Sequence, residues 1–221
     1  MRRLLTTALA VSAVLASLAL GGGGHASAAE RVVLGGGSGI VLTQGDQQTL
    51  CSLTVIGNDS ENRLVGLTAG HCGDVGDAVA AEGDSESVGR IATVLPTYDT
   101  AVIEFDAARV APVSTVGSTT IAGIGDPARL ADTVCKQGRT TGSSCGFSYG
   151  DLLHSHQIFA QMCVNSGDSG APVVLGTSLV GMVNAYLVVP CVGPAVITDI
   201  VAVLGEIDRV GGPGAGLRPA A

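Results

Sequence analysis

The chain has 221 residues with 11 basic and 19 acidic side chains, a formal net charge of -8. That length suits one compact domain or two small ones sharing a core, and the acidity excludes non-specific nucleic-acid binding, which needs a basic surface. Hydrophobic residues at 46% against 14% charged exclude a disordered solvating chain, while 33 glycines and 3% aromatics favour tight turns over a helical bundle.

Arg2 and Arg3 precede an uncharged apolar run, Leu4 to Leu20, which glycines 21 to 24 break before Ala26-Ser27-Ala28. A basic start, an apolar stretch and a small-x-small site in that order predict a signal peptide over 1–28, with His25 leaving alongside it. The competing reading is a membrane anchor. Seventeen residues lie at the bottom of the spanning range, and no basic stop-transfer cluster follows. Cleavage removes two positive charges, so the expected product is an acidic, soluble, extracellular protein with no membrane contact. Six cysteines, an even number, suit three bridges in such a compartment.

Beyond the signal, Arg31 to Ser38 is glycine-rich and ambiguous. Short runs rich in Val, Ile and Thr then recur at Leu50–Ile56, Arg63–Leu67, Val88–Val94, Thr100–Phe105, Ile158–Val164, Ala171–Leu175 and Ser178–Ala185. Their length and turn-rich boundaries predict strands of an all-β barrel or sandwich. Gly57-Asn58-Asp59-Ser60 reads as a hairpin connection, and Ala111 to Thr119 as a linker between two β units. One segment has helical period: Ile200, Val203, Leu204 and Ile207, capped by Thr198 or Asp199 and stopped at Gly211-Gly212-Pro213. The tail, 211–221, is expected to be loose. His154 and His156 are placed to share a strand face. A metal site there lacks an evident third ligand, so no metal is expected.

Three motifs carry chemistry: Thr68-Ala69-Gly70-His71-Cys72, Tyr98-Asp99-Thr100-Ala101, and Gly167-Asp168-Ser169-Gly170. A serine hydroxyl is a poor nucleophile until a base takes its proton, and neutral histidine suits that task near pH 7. A carboxylate on the other ring nitrogen holds the tautomer and stabilises the imidazolium. In this order, and with Cys135-Lys136-Gln137-Gly138-Arg139-Thr140-Thr141-Gly142 closed by Cys145-Gly146, the motifs resemble the chymotrypsin-like serine peptidases. The similarity is greatest to the bacterial branch that includes alpha-lytic protease and the streptogrisins, and covers about Arg31 to Val210.

That resemblance implies two perpendicular six-stranded antiparallel barrels and a C-terminal helix. Residues 29–112 would carry His71 and Asp99, and 113–210 would carry Ser169. It assigns Ser169 as nucleophile, His71 as base and Asp99 as orienter, with the N–H groups of Gly167 and Ser169 forming the oxyanion hole. It places Asp168 in a buried charge pair for which Lys136 is the candidate partner; a new N-terminus cut near Arg31-Val32-Val33 is the weaker alternative. Arithmetic alone leaves fifteen disulfide connectivities. The resemblance selects Cys51–Cys72, Cys135–Cys145 and Cys163–Cys191. Long pro-domains serve that branch in folding, so with only residues 29 to about 40 before the first strand, folding is expected to be unaided or assisted in trans.

The pocket implied by the resemblance has Cys163 at its base, which speaks against trypsin-like specificity. Val164 and Val183 suggest apolar walls for small or medium side chains. Asn184-Ala185-Tyr186 departs from the family pattern, as does Ala171: Asn184 stands where a serine usually bonds the triad carboxylate, and Tyr186 where glycine leaves room. The expected function is a secreted serine endopeptidase, monomeric, acting on proteins or peptides without cofactor or metal. Its activity should rise as His71 loses its proton. A protease-fold binding module with weak or no catalysis, and an esterase-like hydrolase using the same triad, are the alternatives.

Overall fold

The computed structural model describes residues 31–221; the expected signal peptide, with His25, lies outside the described residues. Antiparallel strands dominate, as the short β-branched runs require. In the first unit, Gly39–Gln44 pairs with Gln47–Ser52 and with Ala78–Ala81, and Ala78–Ala81 continues to Ser87–Leu95. Ser87–Leu95 pairs with Thr100–Phe105, then Leu64–Ala69, then Val55–Asn58. Leu53 and Thr54 join the two ends as one bent strand: Leu53 N–H donates to Ser38 O and Thr54 N–H to Leu67 O. Counted that way, six strands close into a ring, which leaves few open edges. Alternate residues such as Ile40 and Leu42 fill its core with Ile91, Ile103 and Phe105.

The second unit closes without a bend to count. Thr133–Gly138, Gly142–Gly150, Gln157–Ala160, Ala195–Asp199, Ser178–Tyr186 and Pro172–Leu175 form a six-strand barrel, the last pairing back to the first. Its core holds Val134, Ile158, Met162, Val173, Val183 and Ile197. A third apolar cluster lies between the barrels, where Val55, Leu67 and Val102 meet Ile121, Leu179 and the C-terminal helix. The helix spans Ile200–Val210 and buries Ile200, Val203 and Ile207, the stripe its period predicts. Asp199, not Thr198, caps it by accepting from Val201 N–H at 2.8 Å. This two-barrel arrangement with a terminal helix is the chymotrypsin-like fold.

Three expectations change. The tail is docked, not loose: Arg218–Pro219 pairs with Val55–Asn58, Leu217 is buried, and Gly214 N–H donates to Asp59 Oδ2 at 3.2 Å. Asp59 is itself sealed and also accepts from Glu61 N–H, Arg63 N–H and Arg63 Nε, so its carboxylate ties hairpin and tail together. His154 and His156 are not on a strand. Both lie in an exposed loop with left-handed backbone (φ 51° and 61°), because Asp151 accepts from Ser155 and His156 N–H and turns the chain. The segment read as a linker contains short paired pieces: Val110–Pro112 runs parallel to Val32–Leu34, and Thr115–Val116 pairs with Thr119–Thr120. No helix among the described residues is long and apolar enough to cross a membrane.

Candidate active site

The site lies where loops of the two barrels meet. His71 sits in a short 3-10 turn, Gly70–Cys72, at the end of the wholly buried strand Leu64–Ala69, and the Cys51–Cys72 bridge ties that turn to the neighbouring strand. Asp99 follows a second such turn, Pro96–Tyr98, and takes a left-handed backbone (φ 43°) that aims its carboxylate back at His71. The two loops touch through backbone: Gly70 N–H donates to Asp99 O at 2.8 Å, and a Cβ on Gly70 would fall 2.8 Å from Thr100 N. Glycine is what permits that approach.

Asp99 then holds His71 twice, once through the backbone and once through the imidazole. Oδ1 accepts from His71 N–H at 2.8 Å, and Oδ2 lies 2.8 Å from Nδ1. A neutral ring protonated on Nδ1 leaves Nε2 as acceptor, 2.8 Å from Ser169 Oγ. Asn184 supports the carboxylate from the second barrel. Its Nδ2 donates to Asp99 Oδ2 at 2.9 Å and to Asp99 O at 2.8 Å, while its Oδ1 accepts from Thr198 N–H at 3.3 Å. The larger amide thus reaches the carboxylate and is itself anchored.

Gly167 precedes the serine with φ 93°, a region that penalises any side chain, and a Cβ there would lie 2.4 Å from Thr140 Oγ1. Among the described residues no acceptor takes the N–H of Gly167 or of Ser169. Two uncommitted donors flanking one hydroxyl are the raw material of an oxyanion site.

The loop between them is pinned by groups that do not stand out in the sequence. Ser52 is fully buried; its N–H donates to Ser169 O at 2.8 Å, its hydroxyl donates to Gly167 O at 3.0 Å, and that oxygen accepts from Arg139 N–H at 3.0 Å. Thr54 Oγ1 donates to Gly170 O at 2.7 Å, and Arg139 pairs with Glu82 across the two barrels. The one available signal was two hydroxyls, Ser52 and Thr54, inside an otherwise apolar strand. Buried polar groups of that kind need partners.

Asp168 and Lys136 form an ion pair at 3.1 Å with both side chains fully buried. Asp168 also accepts from Thr140 N–H at 2.9 Å, Thr141 N–H at 3.1 Å, Asn165 N–H at 3.1 Å and Thr141 Oγ1 at 2.5 Å. Burial favours the neutral acid, but Thr141, Lys136 and Asn165 outweigh it and hold this carboxyl below its ordinary value. Burial lowers the Lys136 ammonium, with Asp168 pulling the other way. Lys136 Nζ donates also to Gly142 O at 3.0 Å and to the Thr141 hydroxyl.

The bond to Asp99 raises the His71 pKa above that of a free imidazole, with desolvation opposing. Burial pushes Asp99 upward, yet hydrogen bonds from His71 and Asn184 more than reverse it and leave the carboxyl below its ordinary value. Each shift favours the charged partner: the carboxylate of Asp99 and the imidazolium of His71.

The structure pairs Cys135 with Cys145 and Cys163 with Cys191. The pocket expectation needs one correction. Val164 and Val183 are 2% and 0% exposed and belong to the barrel core, so they do not form open walls. Bulky side chains on that face of the strand turn inward to fill the barrel. What remains at the surface is Ala185, Tyr186 and the half-buried Cys163 of the bridge to Cys191. Ala171 is wholly buried in the same core, where a small side chain fits. Among the described residues no cluster of three or more His, Cys, Asp or Glu is arranged to hold a metal ion.

The fold and these contacts define the protein's class as a chymotrypsin-like two-barrel structure, and solved structures share it. Thermobifida fusca protease A matches with a TM-score of 0.67 at 23% identity, over 80% of this chain and 96% of that one. The chymotrypsin of Cellulomonas bogoriensis matches at 0.64 and 23%, over 86% and 99%. Nocardiopsis protease matches at 0.64 and 23%, over 79% and 96%. These bacterial serine proteases share the chain's fold. No protein-family profile matches the sequence, and no curated protein sequence does.

Proposed function

We propose that this protein is a secreted serine endopeptidase that cleaves peptide bonds through an acyl-enzyme on Ser169. The observation that carries the reading is the unbroken contact chain from Asp99 Oδ2 to His71 Nδ1 and from His71 Nε2 to Ser169 Oγ, both hydrogen-bond distances 2.8 Å. His71 takes the Ser169 proton as Oγ attacks the substrate carbonyl, and the imidazolium so formed is stabilised by Asp99. The carbonyl oxygen, now negative, is met by the N–H groups of Gly167 and Ser169. His71 then returns the proton to the leaving amine, and water repeats the cycle to release the acid.

The exposed wall of Ala185, Tyr186 and the Cys163 bridge carries no charge, which supports a preference for small or medium apolar side chains at the cleaved residue. The fold of the solved bacterial serine proteases, three disulfides and the leader pattern of residues 1–28 support an exported enzyme acting on protein or peptide substrates.

The test is labelling by a fluorophosphonate probe read by intact mass, on the disulfide-bonded protein and on Ser169→Ala. One adduct, mapped to Ser169 and missing in the variant, is expected. No adduct on well-folded protein would refute the hydrolase reading and favour a binding module.

A further inference from the structure

Just before Ser169 the chain makes a tight turn. Asp168 N–H donates to Asn165 O at 3.0 Å, so Asn165, Ser166, Gly167 and Asp168 form a β-turn. Gly167, its third residue, has φ 93°. A type II turn takes about +80° at that place, and a type I turn about -90°. The two forms differ by a flip of the central peptide, Ser166–Gly167, and glycine reaches either. The N–H of that peptide is the Gly167 donor that no acceptor takes. A planar trans peptide points its C=O and N–H to opposite sides, so the group that holds Ser166 O also aims Gly167 N–H.

That group is Thr140, whose hydroxyl donates to Ser166 O at 2.7 Å. Arg139 Nη1 lies 3.1 Å from the same hydroxyl, and a guanidinium can only donate, so the hydroxyl proton is directed to the carbonyl. Arg139 is held in turn from the first barrel, its Nε donating to Glu82 Oε2 at 2.8 Å and its Nη2 to Glu82 Oε1. Among the described residues no other group donates to Ser166 O. The next peptide is held separately, by the Ser52 hydroxyl on Gly167 O. Thr140 N–H donates to Asp168 Oδ1 at 2.9 Å, so losing the hydroxyl leaves the backbone tied to the buried ion pair. A side chain on Gly167 would collide with this hydroxyl and with Arg139 Nη1, so glycine is what gives the contact room.

We propose that Thr140 is a positioning residue: its hydroxyl, buttressed by Arg139 and Glu82, holds the Ser166–Gly167 peptide in the orientation that presents Gly167 N–H to the developing oxyanion. Without the hydroxyl, the turn loses the contact that separates its two forms. A flipped peptide presents Ser166 O in place of the donor, and a carbonyl oxygen repels the negative charge. The inference rests on the reading of Ser169 as nucleophile and of Gly167 N–H as an oxyanion donor.

The test compares Thr140→Val, which removes the hydroxyl at nearly constant shape, with Thr140→Ser, which keeps it. Both kcat and KM are measured on a fluorogenic peptide that the native protein cleaves, together with the rate of Ser169 labelling by the fluorophosphonate probe. Thr140→Val is expected to lose about 10–10² in kcat, less than the roughly 10²–10³ for deleting an oxyanion donor outright. Its KM should stay within about twofold, as for an interaction made only in the transition state. The labelling rate should fall in parallel, and the acidic limb of kcat/KM should not move, because His71 and Asp99 are untouched. Thr140→Ser should return kcat to within about threefold of native. Thr140→Ala must show the same loss as Thr140→Val, and urea midpoints establish that each variant is folded. A kcat for Thr140→Val within about threefold of native, an equal loss in Thr140→Ser, or a change in KM alone overturns the positioning role. In each of those cases a labelled native protein keeps the hydrolase reading. A folded native protein that the probe does not label loses that reading, and the positioning role with it.

Discussion

Replacing Lys136 by methionine isolates the buried ion pair beneath the Ser169 loop. The side chains of Lys136 and Asp168 are fully buried and 3.1 Å apart, so the variant leaves a carboxylate in the interior without its counter-charge. Breaking such a pair on one side costs about 3–5 kcal/mol. Asp168 keeps hydrogen bonds from Thr140, Thr141 and Asn165, which places the loss at the lower end, about 3 kcal/mol. Urea unfolding at pH 7 with the disulfides intact reads it directly.

The pH dependence supplies the sharper check. In the native protein Asp168 is held below its ordinary value, so its stabilisation is present above the unfolded pKa and lost as pH falls through the lower folded one. Without Lys136, burial pushes the Asp168 carboxyl upward. The variant's deficit is then complete near neutrality and shrinks in acid as Asp168 takes a proton. Lys136→Met combined with Asp168→Asn should be less destabilised than Lys136→Met alone, because no unpaired charge remains. A deficit under about 1 kcal/mol that is flat with pH would refute the account.

Because the Asp99 contact raises the His71 pKa, the acidic limb of kcat/KM should lie above the value of free imidazole. Asp99→Asn should move that limb to lower pH and reduce kcat by on the order of 10⁴, measured on a peptide substrate. Gly167→Ala meets both a positive φ and Thr140 Oγ1 at 2.4 Å, so kcat should fall by about 10²–10³ while substrate KM changes little. An activity loss below about tenfold would show that the Gly167 N–H is not an oxyanion donor. Asp59→Ala removes the acceptor shared by the hairpin and the tail, so amide exchange at Gly214 and Ala220 should quicken while the second barrel keeps its protection.

How much of this was legible beforehand depended on whether the signal was local. The helix could be read because its stripe, Ile200 to Ile207, packs on the barrels with the 3.6-residue period that any helix imposes. Most strands could be read from their β-branched runs, but Gly142–Gly150 has the sequence Gly-Ser-Ser-Cys-Gly-Phe-Ser-Tyr-Gly, polar and weak in β propensity. It is a strand because Thr133–Gly138 pairs along it and Gln157–Ala160 closes its far edge. The tail read as loose on composition, since a Gly/Pro-rich segment carries no periodic pattern. Its order comes from a buried carboxylate 155 residues earlier in the chain.

The candidate site divides the same way. His71, Asp99 and Ser169 stand out in the sequence because the proposed chemistry needs particular side chains within short motifs, and the structure brings the three into contact. Ser52, Thr54 and the Arg139–Glu82 pair could not be weighted, because their work is to join two barrels and no local pattern encodes a contact between distant strands. Val164 and Val183 looked like pocket walls until the barrel closed around them. Amino-acid identity determined what chemistry is available, but only tertiary structure decided which groups are buried, paired or presented, since each is a property of non-local distance.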